Sequence, residues 1–189
     1  MKQGYKKQQG FTLTELLIAI VIAILITLTI LSSFILNQRV LRKSNTKSEL
    51  TQNARIVIDL MSREIRQADM LVTLLPADDS DPIAVAHELQ FEDGHINTHT
   101  QYIRYYLSDN LLKRQVIVYY FASDPSTYVA WDDVDSFGDP TEAVLEDRTV
   151  GENFNQIDFF GSDNVNIELE LEKSGETVEM KTIINPRNS

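Results

Sequence analysis

The sequence contains no cysteine, and it has no glycine or proline along most of its N-terminal third. Its 189 residues include seven glycines and five prolines, but none lies between Phe11 and Leu75. Without cysteine, no disulfide can close a loop and no thiolate can serve as a nucleophile or metal ligand. Glycine and proline are the residues that most often interrupt helices, so their absence here predicts one long helix that ends before Pro76.

Basic residues are scarce in the C-terminal three quarters of the chain. From Glu49 onward there are 27 acidic and 10 basic side chains, a net charge of −17. Such a surface repels phosphate backbones, because nucleic-acid binding depends on lysine and arginine contacts. Direct nucleic-acid binding is therefore not expected. The earlier part of the chain is basic instead, through Lys2, Lys6, Lys7, Arg39, Arg42, Lys43 and Lys47.

One run of 26 residues, Phe11–Leu36, has a single charged residue, Glu15. As an α-helix it would extend about 39 Å, enough to cross a hydrocarbon core of about 30 Å. The apolar part of a cleaved secretory signal is usually only about 7–15 residues long, so the run favours a membrane-spanning helix. The basic residues on its two sides are nearly balanced, and the acidic body weakly favours an outside C-terminus.

The helix is predicted to continue through residues 37–75 as an amphipathic helix. Apolar residues recur there at steps of three or four, which is typical of a helix with one buried face. We expect this stripe to pack in the core rather than to bind a partner. Its members are Leu50, Ala54, Val57, Met61, Ile65, Ala68, Val72 and Leu75.

Residues 76–189 show the pattern of an antiparallel β-sheet domain. Apolar and polar residues alternate along several short segments, and the segments are separated by turn signals such as Asp93-Gly94 and Ser174-Gly175. Strands are predicted at 83–91, 101–107, 111–121, 156–161, 164–173 and 177–184.

The acidic segment 124–152 is predicted to be a long loop with one short strand near Val144, anchored by Trp131 and Phe137. A sheet packed on helix residues 49–75 would bury the apolar faces of both. The predicted fold class is therefore α+β, with a long N-terminal helix on an antiparallel sheet.

The sequence gives little support for catalysis, a cofactor or a metal site. Oxygen ligands in segment 132–142 suit Ca²⁺, but Phe137 stands where such a loop needs Asp or Asn. A solvated acidic loop is favoured, with calcium as the alternative. The three histidines, His87, His95 and His99, do not have a convincing ligand spacing, and no catalytic motif is present. The tyrosines Tyr102, Tyr105, Tyr106, Tyr119 and Tyr120 are expected on sheet faces.

The N-terminal stretch resembles the processing site of type IV prepilins. The resemblance lies in the basic leader, Gly10 directly before Phe11, the acid Glu15 four residues later, and the unbroken apolar run. It implies that a prepilin peptidase cuts between Gly10 and Phe11 on the cytoplasmic face and methylates the new amino group of Phe11. Gly10 suits such a site because the absence of a side chain lets a protease approach the backbone.

The resemblance also gives Glu15 a role. A carboxylate inside lipid costs about 2.5–3.5 kcal/mol near the centre of a helix and less toward its end. In the family this acid is thought to pair with the amino group of the same N-terminal residue, here Phe11, in a neighbouring subunit. Desolvation offsets much of the gain from such a pair, so its better-attested use is to fix a register. The register here would be the axial stagger between subunits.

Later segments are similar to the minor pilins of the W type and the J-type minor pseudopilins of type II secretion. The similar segments are residues 48–68, 102–107, 111–116 and 183–188. The chain differs from many pilins in two ways. It has no helix-breaking residue near Thr27–Ser33, where other pilins melt, and no cysteines for a C-terminal disulfide loop.

The resemblance implies a structural subunit rather than an enzyme. Residues 1–10 would be the cleaved leader, 11–36 the membrane and filament-core half of the helix, 37–75 its amphipathic half, and 76–189 the sheet domain. Expected partners are the prepilin peptidase, other pilin or pseudopilin subunits, an inner-membrane assembly platform, and membrane lipid before assembly. We expect the chain in the bacterial inner membrane first and in a filament later. The alternative is a single-pass membrane protein whose outer domain binds a ligand or adheres and forms no filament.

Overall fold

The computed structural model describes residues 10, 12–80, 86–95 and 100–186. Helix α1 runs over Leu13–Arg66, followed by eight strands in the described part of the chain. The chain divides into two compact units, residues 1–45 and 46–189. The first unit contains the N-terminal part of α1, and the second contains the rest of α1 together with the strands.

The first part of α1 is apolar on all its faces. Its large hydrophobic side chains are exposed, from 45% at Ile35 to 79% at Leu13. The hydroxyls of Thr27 and Thr29 donate hydrogen bonds to the carbonyls of Ala23 and Leu25 at 2.8 and 2.9 Å, so neither side chain interrupts the helix. Among the described residues, α1 holds the one segment that is long and apolar enough to cross a membrane.

The second part of α1 buries one face, as the apolar spacing predicts. Five helical residues of the stripe and Ala68 beyond the helix are at most 2% exposed. They form one core with residues of both sheets described below. The interpretation of this stripe as core packing is confirmed. The buried helical members are Leu50, Ala54, Val57, Met61 and Ile65.

The helix ends at Arg66, so the prediction that it continues to Leu75 was wrong. The next residues, 69–73, lie beside strand β1 (Glu88–Glu92) and bond to its backbone. The Val72 amide donates to the Gln90 carbonyl at 2.9 Å, and the Glu92 amide to the Met70 carbonyl at 2.8 Å. The open edge of β1 thus supplies the backbone partners that a further helical turn would have supplied. Leu75 still packs against the core.

The first sheet is antiparallel and has five strands. Strand β2 (Tyr102–Ser108) pairs with β1 and with β3 (Leu111–Phe121). Asp109 and Asn110 join β2 to β3 with φ of 51° and 61°, the conformation of a tight hairpin turn. Strand β4 (Asp124–Val129) pairs with the C-terminal end of β3, and β5 (Thr141–Glu152) pairs with β3 as well.

The prediction of a long loop over 124–152 with one short strand near Val144 was right about that strand, which lies in β5, but wrong about the rest, because β5 has 12 residues and the segment also contains β4. Strand β5 is mostly exposed and rich in acids, so it lacks the alternation that marks a half-buried strand. Its hydrogen bonds to β3 stabilise it instead, and its register shifts twice against β3. Phe137 lies in the connection from β4 to β5 and is 87% exposed, so the prediction that it anchors the segment was wrong.

The second sheet has three antiparallel strands, β6 (Phe154–Phe160), β7 (Val165–Lys173) and β8 (Glu176–Ile184). Inward-facing positions alternate along β7 as predicted, and the four that face the core are at most 2% exposed. Ser174 and Gly175 form the turn into β8 with positive φ. The four inward-facing residues are Val165, Ile167, Leu169 and Leu171.

A buried ion pair joins α1 to the first sheet. Nε of Arg114 on β3 donates to both carboxylate oxygens of Glu64 on α1 at 3.1 Å. The hydroxyl of Tyr105 on β2 donates to the same carboxylate. Burial and the charge of Glu64 raise the pKa of Tyr105. Burial alone would lower the pKa of Arg114, but hydrogen bonds from its guanidinium to Glu64 outweigh burial and raise this pKa overall. The three groups therefore fix one register of the helix on the sheet.

Candidate processing and assembly site

The described part of the N-terminal site begins with a capping interaction between Thr12 and Glu15. The backbone N–H of Thr12 and its hydroxyl both donate to Oε2 of Glu15 at 2.9 Å. In return the backbone N–H of Glu15 donates to the Thr12 hydroxyl oxygen at 3.3 Å. This reciprocal pattern is a capping box, which supplies partners to backbone groups that the first helical turn leaves free.

The capping box leaves half of the Glu15 carboxylate available. Its hydrogen bonds use Oε2, and among the described residues none is made to Oε1. The neighbouring side chains Leu16, Leu17 and Ile18 are apolar and each 58% exposed. Glu15 therefore presents one carboxylate oxygen from an apolar helix surface, which can accept a hydrogen bond from a cation on another chain.

Gly10 is exposed, and no packing contact with the described residues requires it to be glycine. A Cβ atom added at this position would meet no described atom within 4 Å. The described part of the fold therefore gives no reason for the absence of a side chain at this position. A physical reason for glycine here is that a backbone without a side chain is accessible to another molecule. Phe11 and the leader residues 1–9 lie outside the described residues.

Thr12 is the residue of this site that the sequence interpretation missed. The segment Thr12-Leu13-Thr14-Glu15 matches the signature of a capping box, a Ser or Thr followed three residues later by Glu before an apolar run. The signal was therefore present in the sequence, but Glu15 was interpreted only through its proposed partner.

Two of the other candidate residues, His87 and His95, each pair with one aspartate rather than joining a ligand site. Nδ1 of His87 lies 2.8 Å from Oδ1 of Asp158, and Nδ1 of His95 lies 2.8 Å from Oδ1 of Asp93. His99 lies outside the described residues. Within the described ranges, no three His, Asp or Glu side chains come together as metal ligands would.

The acidic segment 132–142 forms hydrogen bonds within the protein. Asp133 accepts a hydrogen bond from the Ala130 N–H at 2.9 Å, and Asp135 accepts one from the Phe137 N–H at 2.7 Å. Asp135 also accepts a hydrogen bond from the Ser123 hydroxyl at 3.2 Å. These two carboxylates therefore shape turns of the loop.

The tyrosines lie on sheet faces, as predicted. The rings of Tyr102 and Tyr119 meet edge to face with centroids 5.3 Å apart, and Tyr105 stacks on Phe91 with centroids 6.4 Å apart. Burial raises the pKa of Tyr102 to about 12, although a hydrogen bond from the Trp131 N–H opposes the shift.

Residues 5–36 match the family model of the prokaryotic N-terminal methylation motif. The match includes the candidate cleavage site, the capping box and the apolar run. The chain is type IV prepilin-like. No curated protein matches this prepilin-like chain.

The motif and the fold together establish the general character of the prepilin-like chain. It is a type IV pilin-like precursor that prepilin peptidase processes and methylates, and its apolar helix anchors it in a membrane by a single pass. Proteins with this motif assemble with other pilin subunits. The long N-terminal helix with antiparallel sheets is the pilin-like α+β architecture.

Proposed function

We propose that the chain is a minor subunit of a type IV pilus-like filament or of a type II secretion pseudopilus. The supporting observation is the start of α1, where an exposed apolar helix carries a single acid, and one oxygen of its carboxylate accepts no hydrogen bond from the described residues. A helix of this kind suits lipid before assembly and a bundle of similar helices afterwards, because both surroundings are apolar. The role is structural, and catalysis has no part in it.

The proposed processing site is the bond between Gly10 and Phe11. Cleavage there would create a positive amino group on Phe11, four residues before Glu15 at the end of the Thr12–Glu15 capping box. The box would survive cleavage, because Thr12 keeps its backbone N–H in the mature chain. Oε1 of Glu15 would then accept a hydrogen bond from the amino group of Phe11 in a neighbouring subunit and set the axial stagger.

The proposed topology places the C-terminal unit outside the bacterial inner membrane. The precursor would wait there, with the assembly platform in the same membrane, until it entered the filament. The acidic surface from Glu49 onward argues against direct contact with nucleic acid, although the filament could serve any of several outputs.

Incorporation into filaments tests this function. The chain would be co-expressed with a major pilin, the prepilin peptidase and the assembly proteins of one such system, and sheared filaments would be probed for it. Recovery in the filament fraction, lost when the peptidase is omitted, is the expected result. A chain that inserts into the membrane and is processed but never enters filaments would favour a membrane-anchored adhesive or ligand-binding protein.

A further inference from the structure

We propose that the part of α1 just beyond the apolar run binds the headgroup of an anionic phospholipid. A groove on this part of the helix is lined by Phe34, Ile35, Gln38, Arg39 and Arg42. We call these five residues the headgroup groove. It lies entirely within the first unit of the chain.

The spacing of the headgroup groove places its residues on one helix face. They stand at steps of one, four, five and eight residues from Phe34, which fall within less than half of the helix circumference at about 100° per residue. All five are exposed. Two apolar side chains begin the groove, and an amide and two guanidinium groups end it. This order matches a phospholipid, whose acyl chains lie below its phosphate.

The depth of the groove in a bilayer supports the same assignment. The 20 residues from Leu16 to Ile35 extend about 30 Å as a helix, the thickness of a hydrocarbon core. Arg39 and Arg42 then follow about 6 and 10 Å farther along the axis. The headgroup layers add roughly 5–7 Å on each side of the core, and long arginine side chains reach back toward them. Both guanidinium groups can therefore meet lipid phosphates.

Within the described ranges, neither arginine is engaged by another group of the chain. No hydrogen bond or ion pair involves Arg39 or Arg42, and the first acid after Glu15 is Glu49. A guanidinium group binds phosphate oxygens through two parallel N–H donors, which makes arginine better suited than lysine to this ligand. The Gln38 amide supplies a further donor beside them.

A lipid explains the groove better than an acidic protein surface does, because its lower end belongs to the apolar run. Phe34 and Ile35 would contact acyl chains while the arginines contact the phosphate. On the proposed topology, on which this step rests, these arginines lie on the side of the membrane where basic residues are disfavoured. Binding to anionic headgroups offsets that disadvantage.

Lipid selectivity of the full-length chain in nanodiscs tests the proposal. The discs would contain mainly phosphatidylcholine with a minor fraction of phosphatidylglycerol, and spin-labelled versions of the two lipids would report which one the protein retains. We expect the wild-type chain to prefer phosphatidylglycerol about fivefold, and Arg39→Gln/Arg42→Gln to reduce this toward equality. Glutamine is a good helix former, so the helix should persist.

Two further variants make the comparison specific. Arg39→Lys/Arg42→Lys keeps the charge and should keep much of the preference. Arg55→Gln/Arg66→Gln removes two exposed arginines from the second part of the same helix and should leave the preference unchanged. The assay requires neither cleavage nor filament assembly, so its result does not depend on whether the proposed filament role is right.

Three results would overturn the proposal. One is equal retention of both lipids by the wild-type chain. Another is a preference that survives Arg39→Gln/Arg42→Gln. The third is that Arg39→Gln/Arg42→Gln leaves the lipid selectivity unchanged but weakens binding of a second pilin-like chain. That result would assign the two arginines to contact with an acidic protein surface.

Discussion

Glu15 makes one interaction within its own chain and is proposed to make a second with a neighbouring subunit. One carboxylate oxygen caps the helix of its own chain through Thr12, and the other accepts no hydrogen bond from any residue that the structure describes. The capping box alone would explain why an acid is tolerated at this position, because it satisfies hydrogen-bonding groups at the helix start. The proposed pairing with a neighbouring subunit requires the charge as well. Variants can separate these two roles.

Replacing Glu15 by Gln should reduce incorporation into filaments about tenfold, the equivalent of about 1.4 kcal/mol. Glutamine can keep the capping box but cannot form an ion pair. The fraction of the chain recovered in sheared filaments measures the effect. The matched variant Thr12→Ala loses the cap, at a cost of about 1 kcal/mol in local helix stability, but keeps the charge.

We expect Thr12→Ala to assemble nearly as the wild type does. The opposite pattern, normal assembly of Glu15→Gln with failure of Thr12→Ala, would show that Glu15 acts only as a helix cap.

The buried pair Glu64–Arg114 makes a second prediction at this scale. Glu64→Leu should destabilise the folded chain by at most about 3–5 kcal/mol, because the buried Arg114 loses its main partner and keeps the longer contact with Glu146 at 3.4 Å. Urea unfolding of the full chain in detergent would measure the change. The triple variant Glu64→Leu/Arg114→Met/Tyr105→Phe removes the whole polar group and should be less destabilised than Glu64→Leu. Equal or greater loss in the triple variant would contradict this account.

At the scale of elements, β5 packs closely against the core through Gly151. A Cβ at Gly151 would lie 2.3 Å from Cε2 of Phe154 and 2.9 Å from Cγ2 of Val57. Both distances are too short for a real contact. Glycine at this position therefore permits the close approach of β5 to the buried face of α1.

Gly151→Ala should destabilise the chain by about 1–3 kcal/mol through overpacking. In Gly151→Ala/Phe154→Leu the smaller side chain leaves room for the added methyl group, so the combined loss should be less than the sum of the two single losses. Thermal unfolding of the wild type, Gly151→Ala, Phe154→Leu and the double variant measures the coupling between the two positions. If the two single losses of stability simply added in the double variant, Phe154 would not be the side chain that limits the space at Gly151.

The elements that the sequence predicted well are those with a strong period or an unambiguous turn. Strand β3 was placed at its observed bounds because a turn signal precedes it, and the alternation in β7 identified its buried face. The buried stripe of α1 followed from its steps of three and four residues. The helix end at Arg66 was missed, and β5 was predicted only as a short strand near Val144. Hydrogen bonds to distant strands determine both features, and such partners leave no local pattern.

The candidate site likewise contains residues that have a local sequence signal and contacts that have none. Gly10, Phe11 and Glu15 could be selected from the order of residues alone, and the capping role of Thr12 had a sequence signature as well. Coordinates were needed to see that the described hydrogen bonds engage only one oxygen of Glu15. The Glu64–Arg114–Tyr105 contact joins residues up to 50 positions apart and had no local signal.

At the scale of the whole molecule, buried tyrosines should make stability sensitive to alkali. Burial raises the pKa of Tyr102 to about 12 and raises that of Tyr105 as well, compared with about 10 for an unfolded chain. The folded chain therefore holds these protons more tightly than the unfolded chain does. The resulting stabilisation is complete below about pH 10 and is lost as the pH rises toward 12.

The free energy of unfolding should fall over this pH range, and it should fall less steeply in Tyr105→Phe. Urea titrations of the full chain in detergent at successive pH values would show the slope. Stability that stays constant between about pH 10 and 12, or an equal slope in Tyr105→Phe, would contradict the burial argument.

The most direct test of the account is the N-terminal residue of the mature chain. The chain would be isolated from cells that contain a prepilin peptidase, and its N-terminal peptide would be identified by mass spectrometry. The account predicts a peptide that begins at Phe11 and carries one added methyl group, and Gly10→Val should prevent both changes without altering the fold. A mature chain that still begins at Met1 in the presence of an active peptidase would contradict it.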